Sequence, residues 1–83
     1  MIVILSQDKE MIIECKTIGT RKQSYPRDST GFMVVSHIDA EDFYVLGTYA
    51  TEERAKEVVA EIWSIMMECF EVNLEPYFTM PTE

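Results

Sequence analysis

From Thr51 to Glu71 the apolar side chains Ala55, Val58, Val59, Ile62, Met66, Cys69 and Phe70 recur at three- and four-residue steps, the spacing that places them on one face of an α-helix. Thr51 offers an N-cap oxygen, and Glu52 and Glu53 follow in the first turn, where the helix dipole favours negative charge. The pattern predicts a helix over about 52–71, ended before Pro76. In a chain of 83 residues, a helix of that length dictates the rest: whatever else folds has to cover its apolar face.

The segments before it read as strands. Met1–Leu5 is a β-branched run closed by the turn-forming Ser6-Gln7-Asp8-Lys9, and Met11–Ile18 resumes as a second strand. Phe32–Ile38 and Phe43–Tyr49 are apolar runs joined by Asp39-Ala40-Glu41-Asp42, a connection suited to a hairpin on a type I turn. Pairing Ile38 with Phe43 puts Phe32, Val34, Ser36, Val45 and Tyr49 on one face and Met33, Val35, His37, Tyr44 and Leu46 on the other. Gly19 to Gly31 is polar, contains Pro26 and reads as a long loop. Residues 74–83, with Pro76 and Pro81 around Tyr77-Phe78-Thr79-Met80, read as an extended tail packed on the body. The expected fold is a single α+β domain over 1–83: an antiparallel sheet of about four strands (1–5, 11–18, 32–38, 43–49) with one long C-terminal amphipathic helix on one face.

On a helical wheel, Ala60, Trp63, Ile65 and Met67 widen the apolar sector beyond what one sheet face covers, and Glu53, Glu57, Glu61, Ser64 and Glu68 remain as the wet face. A second buried surface is implied. A homo-oligomer with Trp63 and Met67 in its interface would supply it; the alternative is that Tyr77 and Phe78 of the tail fold back over the helix.

Fifteen acidic against seven basic side chains give a net charge of −8. Direct binding to duplex nucleic acid, which draws its affinity from Lys and Arg, is not expected, and anionic membranes would be repelled. The same field favours encounter with a basic protein surface. The start lacks the basic residues and cleavage site of a secretory signal, and no run approaches the ~20 apolar residues of a membrane span, so the expected location is the cytoplasm. Cys15 and Cys69 lack metal-ligand spacing and read as buried thiols rather than a disulfide.

Catalysis has little to work with. The one histidine, His37, falls in a predicted strand among hydrophobic neighbours, the carboxylates are scattered along a helix face, and no glycine-rich phosphate loop is present. The expectation is a protein without enzymatic activity, cofactor or metal. Two surfaces could bind. Lys16, Arg21, Lys22 and Arg27 hold four of the seven positive charges in a stretch without acids, and Arg21, Lys22, Tyr25 and Arg27 could grip the phosphate and base of a nucleotide. Glu57, Glu61 and Glu68, with Glu53 and the Asp39-Ala40-Glu41-Asp42 turn, could instead present spaced negative charge to a basic groove on another protein. For both, an ordinary solvated surface is the competing explanation.

Three pieces together resemble a known group: Leu5-Ser6-Gln7-Asp8 after the first strand, Leu46-Gly47-Thr48-Tyr49 leading into Thr51-Glu52-Glu53-Arg54-Ala55-Lys56-Glu57-Val58, and the Tyr77 to Pro81 ending. The group is one of small uncharacterised proteins carried by phages and prophages of Firmicutes. The resemblance implies a setting rather than a mechanism: a phage protein in a bacterial host cytoplasm. In that setting the expected function is an inhibitor of a bacterial defence component, anti-CRISPR-like or another anti-defence protein, acting by covering a basic surface. The alternatives are a sponge that sequesters a nucleotide signal and a virion or structural accessory.

Overall fold

Ile2 and Ile4 alternate with Val3 and Leu5, so a strand here turns two β-branched side chains to one side, and both are completely buried. The computed structural model, which describes residues 1–23, 31–39 and 41–83, makes this strand, β1 (Ile2–Leu5), the centre of a three-stranded sheet. On one side lies β2 (Ile12–Cys15), antiparallel, with Ile2 opposite Cys15 and Ile4 opposite Ile13. The turn between them closes as its residues foretell. The Ser6 hydroxyl donates to Asp8 Oδ1 at 2.6 Å, the Glu10 N–H donates to the same oxygen at 3.0 Å, and Lys9 takes the left-handed conformation at φ 63°.

The expected strand over 11–18 is two strands in two sheets. Ile13 and Cys15 point into the core from odd positions, whereas Ile18 packs against it from an even one. A straight strand cannot bury both parities. The chain therefore bends at Lys16 and continues as β3 (Thr17–Lys22), antiparallel to β4 (Phe32–His37), which pairs in turn with β5 (Phe43–Tyr49). The start of the expected loop, Gly19–Lys22, is thus strand. Its polar, exposed side chains are those of an edge strand, whose lysine and arginine discourage pairing with other chains.

In the β4–β5 hairpin the register changes along its length. Next to the turn His37 opposes Phe43, one residue away from the expected Ile38–Phe43 pair. The turn is held by Asp39, whose Oδ1 accepts the N–H groups of Glu41 and Asp42, both at 2.9 Å, while the Ile38 N–H donates to the Asp42 carbonyl. Val35 opposes Val45 and Val34 opposes Gly47, leaving Leu46 as the extra residue of a β-bulge; from there Phe32 meets Tyr49 as the expected register demands. The bulge corrects the expected facing: Leu46 and Tyr49, expected on opposite faces, are both buried in the one core.

The helix, α1 (Glu52–Val72), starts and ends on side chains and backbone that can be named. Thr51 Oγ1 accepts the Arg54 N–H at 3.1 Å. At the far end Asn73 adopts the left-handed conformation at φ 58°, and the Leu74 N–H reaches back to the Cys69 carbonyl at 2.9 Å, the Schellman closure. Ala55, Val58 and Ile62 bury against the β3–β4–β5 sheet, and the same core takes in Ile2, Ile4, Ile13 and Cys15 from the other sheet.

The tail is more than an extended cover. Tyr77–Thr79 forms β6, parallel to β1, with Phe78 opposite Ile4; Phe78 and Met80 face inward while Tyr77 and Thr79 face out. The architecture is α+β with one long C-terminal helix, but its strands form two sheets of three, β2-β1-β6 and β3-β4-β5, in place of one sheet of about four. Gln7 joins them. Its N–H donates to the Leu46 carbonyl at 2.8 Å, its Oε1 accepts the Thr48 N–H at 2.8 Å, and its Nε2 donates to the carbonyls of Thr48 and Thr82.

Candidate functional site

Five carboxylates, Glu53, Glu57, Glu61, Glu68 and Glu71, are exposed along the side of α1 away from Ala55, Val58 and Ile62. A regular helix of 21 residues fixes their spacing, so the face is a rigid array rather than a flexible acidic tail. Its N-terminal half is partly neutralised. Arg54 lies 3.3 Å from Glu57 and 3.9 Å from Glu61, and Lys56 pairs with Glu52 at 2.9 Å. Among the described residues Glu68 and Glu71 have no ion pair, and the last turn of α1 carries no basic residue. These two carboxylates therefore add to the negative pole of the helix dipole instead of offsetting it. In the acidic Asp39–Asp42 turn, backbone N–H groups of Asp42 and Glu41 hold the Asp39 carboxylate and keep its pKa low, so it stays ionised; Ala40 lies outside the described residues.

Trp63 and Met67 project from the flank of α1 between the buried face and the acids, 62% and 39% exposed. Phe70 continues this flank at 80% exposure, although its period marks it in the sequence as a core position. The reason is length: the β3–β4–β5 sheet supports the buried residues Ala55 to Ile62, and the last turns of α1 run past it.

Of the expected nucleotide-gripping residues, Arg21 and Lys22 lie among the described residues. Arg21 and Lys22 are consecutive in β3, so their side chains leave opposite faces of the sheet. Arg21 stacks on the Phe43 ring, 4.3 Å from its centroid. Tyr25 and Arg27 lie outside the described residues. His37 packs edge-on against the same Phe43 ring at 6.4 Å. No group of three His, Cys, Asp or Glu side chains among the described residues is placed to hold a metal ion. No described helix is long and apolar enough to cross a membrane.

The segments that carry the resemblance converge at one place. Gln7 bonds to Leu46, Thr48 and Thr82; the Tyr49 hydroxyl donates to the Pro81 carbonyl at 2.8 Å; Arg54 Nε donates to the Glu83 carbonyl at 2.9 Å, its guanidinium 5.9 Å from the Tyr49 ring. Sequence reading treats these as separate motifs. In the fold they form one junction tying the first turn, the β5 strand and the C-terminal segment, and its hydrogen bonds are satisfied internally, as befits a staple more than a binding site. Cys15 is buried, as expected, whereas Cys69 is only half-buried.

Two buried groups, Tyr49 of this junction and Cys15 of β2, make stability depend on alkaline pH. Burial pushes the Tyr49 pKa up to about 12 from 10.0, and burial raises the Cys15 thiol above 9.0. Both groups are held neutral in the fold, so unfolding releases protons once the unfolded chain's groups ionise. Their contribution is complete below pH 9 and is lost as pH rises, first through Cys15 and then between pH 10 and about 12 through Tyr49. Urea unfolding across this range is expected to show a two-stage decline, and Tyr49→Phe is expected to remove the upper stage.

Compared with family models, with curated proteins and with solved structures, the chain matches none.

Proposed function

We propose that this is a non-enzymatic binding protein that lays the acidic face of α1 on a basic surface of a host protein. The observation that carries this reading is the pair Glu68 and Glu71 at the C-terminal end of α1, which have no ion pair among the described residues. Acidic side chains there cost the helix about 0.3–1 kcal/mol each, since they face its negative pole. A solvated face gains nothing from such a placement, whereas a surface meant to meet cations gains a concentrated negative potential. Glu61 and Glu57 extend it about two and three turns further toward the N-terminus, with the Arg54 guanidinium close to both. The phage resemblance gives the target its class: a bacterial defence component whose basic channel or groove would be blocked. Nothing among the described residues favours the nucleotide-sequestering alternative, since Arg21 is engaged by Phe43 and Lys22 faces away from it.

The reading makes stability and binding respond in opposite directions. Glu68→Lys with Glu71→Lys is expected to raise the unfolding free energy by about 0.5–2 kcal/mol, because cations now sit at the negative pole. The same change, and the Glu57, Glu61 and Glu68 triple reversal to Lys, are expected to release a host protein that the parent retains from bacterial lysate. Raised salt should slow association with that protein. A partner held equally well by the charge-reversed variants, or one insensitive to salt, would remove the acidic face from the mechanism.

A further inference from the structure

We infer that the outer edge of β2 takes up an extended, basic segment of a partner protein as an added strand. β2 ends its sheet on that side, with β1 as its neighbour. The phase of the ladder follows from its first bond, the Ser6 N–H to the Met11 carbonyl, which makes Ser6–Met11 a hydrogen-bonded pair. Ile4–Ile13 and Ile2–Cys15 follow at two-residue steps, so the main-chain N–H and C=O groups of Ile12 and Glu14 point away from β1. The partner strand obeys the same phase. Val3 and Leu5, opposite Glu14 and Ile12, turn their groups to β6, where the Val3 N–H meets the Pro76 carbonyl and the Leu5 carbonyl accepts the Met80 N–H. Among the described residues nothing bonds to the outward groups of Ile12 and Glu14. Donors and acceptors alternating at strand spacing are matched by another extended backbone.

The other strand edges are blunted. β3 presents Arg21 and Lys22, β6 is a short strand between Pro76 and Pro81, and at β5 the Leu46 carbonyl and the Thr48 N–H are taken by Gln7. Along β2, by contrast, Met11, Ile12 and Ile13 line an open hollow together with Tyr44 of β5. Glu14 borders this hollow and also the next one, which it shares with Lys16, Ile38 and Tyr44. Charge gives the incoming strand its sign. The two segments that frame these hollows, residues 8–16 and 38–45, carry six acids against Lys9 and Lys16, a net charge of −4. A strand alternating basic and apolar side chains meets both features: its cations lie beside Glu14 on the outer side, and its apolar groups turn inward over Ile13 and Tyr44. The site uses no residue of α1, so it stands apart from the acidic helix face.

The test uses the full chain and a short synthetic peptide alternating lysine and valine, blocked at both ends. Its binding, read by fluorescence anisotropy, is expected to slow amide hydrogen exchange at Ile12 and Glu14 at least ~10-fold. The same peptide N-methylated throughout its backbone keeps its charge but has no main-chain N–H to donate. It should bind at least ~10-fold more weakly, as the loss of two main-chain hydrogen bonds implies. Glu14→Lys changes an exposed side chain, so it is expected to keep the parent's urea midpoint while weakening the peptide by a similar factor. Glu68→Lys with Glu71→Lys is expected to leave the protection of Ile12 and Glu14 in place, so this site and the helix face fail separately. Four results overturn the inference: no binding at millimolar peptide, equal binding of the methylated peptide, unchanged exchange at Ile12 and Glu14 in the bound state, or full binding by the Glu14→Lys chain.

Discussion

Ile4→Ala is expected to cost about 2–5 kcal/mol, a large part of the ~4–12 kcal/mol that a chain of this size holds. Ile4 is fully buried in the central strand β1, between Ile13 of β2 and Phe78 of β6. Truncating it leaves a void bounded by three strands of a sheet, whose backbone is held by hydrogen bonds on both sides and cannot close in. Urea unfolding should show a much lower midpoint with little change in slope. Ile12→Ala is the control: the same residue type on the neighbouring strand is 74% exposed, and its removal should stay within about 0.5 kcal/mol of the parent. Equal losses at the two positions would contradict the facing of β1 and β2.

Gly47→Ala is expected to destabilise by about 1–3 kcal/mol although it adds one methyl group. A Cβ at Gly47 would lie 2.8 Å from the Tyr49 hydroxyl, 3.2 Å from the Tyr49 ring and 3.2 Å from the Gln7 Cβ. None of the three can yield cheaply. Tyr49 is fixed by its hydrogen bond to Pro81, and Gln7 by its bonds to Thr48 and Thr82. Removing the closest atom should relieve part of the clash, so Gly47→Ala with Tyr49→Phe is expected to lose less than the two single changes together. Strict additivity, measured in the same urea titrations, would mean that the methyl finds room elsewhere and that the junction is looser than its geometry.

How much of this was legible depends on the range of the interaction that decides each element. The bounds of α1 were readable because an N-cap at Thr51, a helical period and acids in the first turn all act within a few residues of chain. The break at Lys16 was written in the sequence as well, in the change from odd to even inward positions between Cys15 and Ile18, but a continuous apolar strand hides it unless parity is followed. β3 resisted reading because an edge strand keeps its polar side chains in water and so has the composition of a loop. Of the candidate site, the acidic array and the Trp63–Met67 flank follow from helical geometry alone. That Arg21 and Lys22 diverge depends on their being strand residues.

The sequence by itself determined the local and periodic features: one long amphipathic helix, a set of β-branched strands, a net charge of −8, and an acidic face opposite an apolar one. Only the tertiary structure decided the pairings between distant segments. The division into two sheets, the parallel pairing of Tyr77–Thr79 with Ile2–Leu5, the bulge at Leu46 and the Gln7–Tyr49–Arg54 junction each rest on contacts across many residues of chain. The physical reason is that such pairings are chosen by which arrangement buries the most apolar surface with every backbone group bonded, a property of the whole chain that no short window of residues contains.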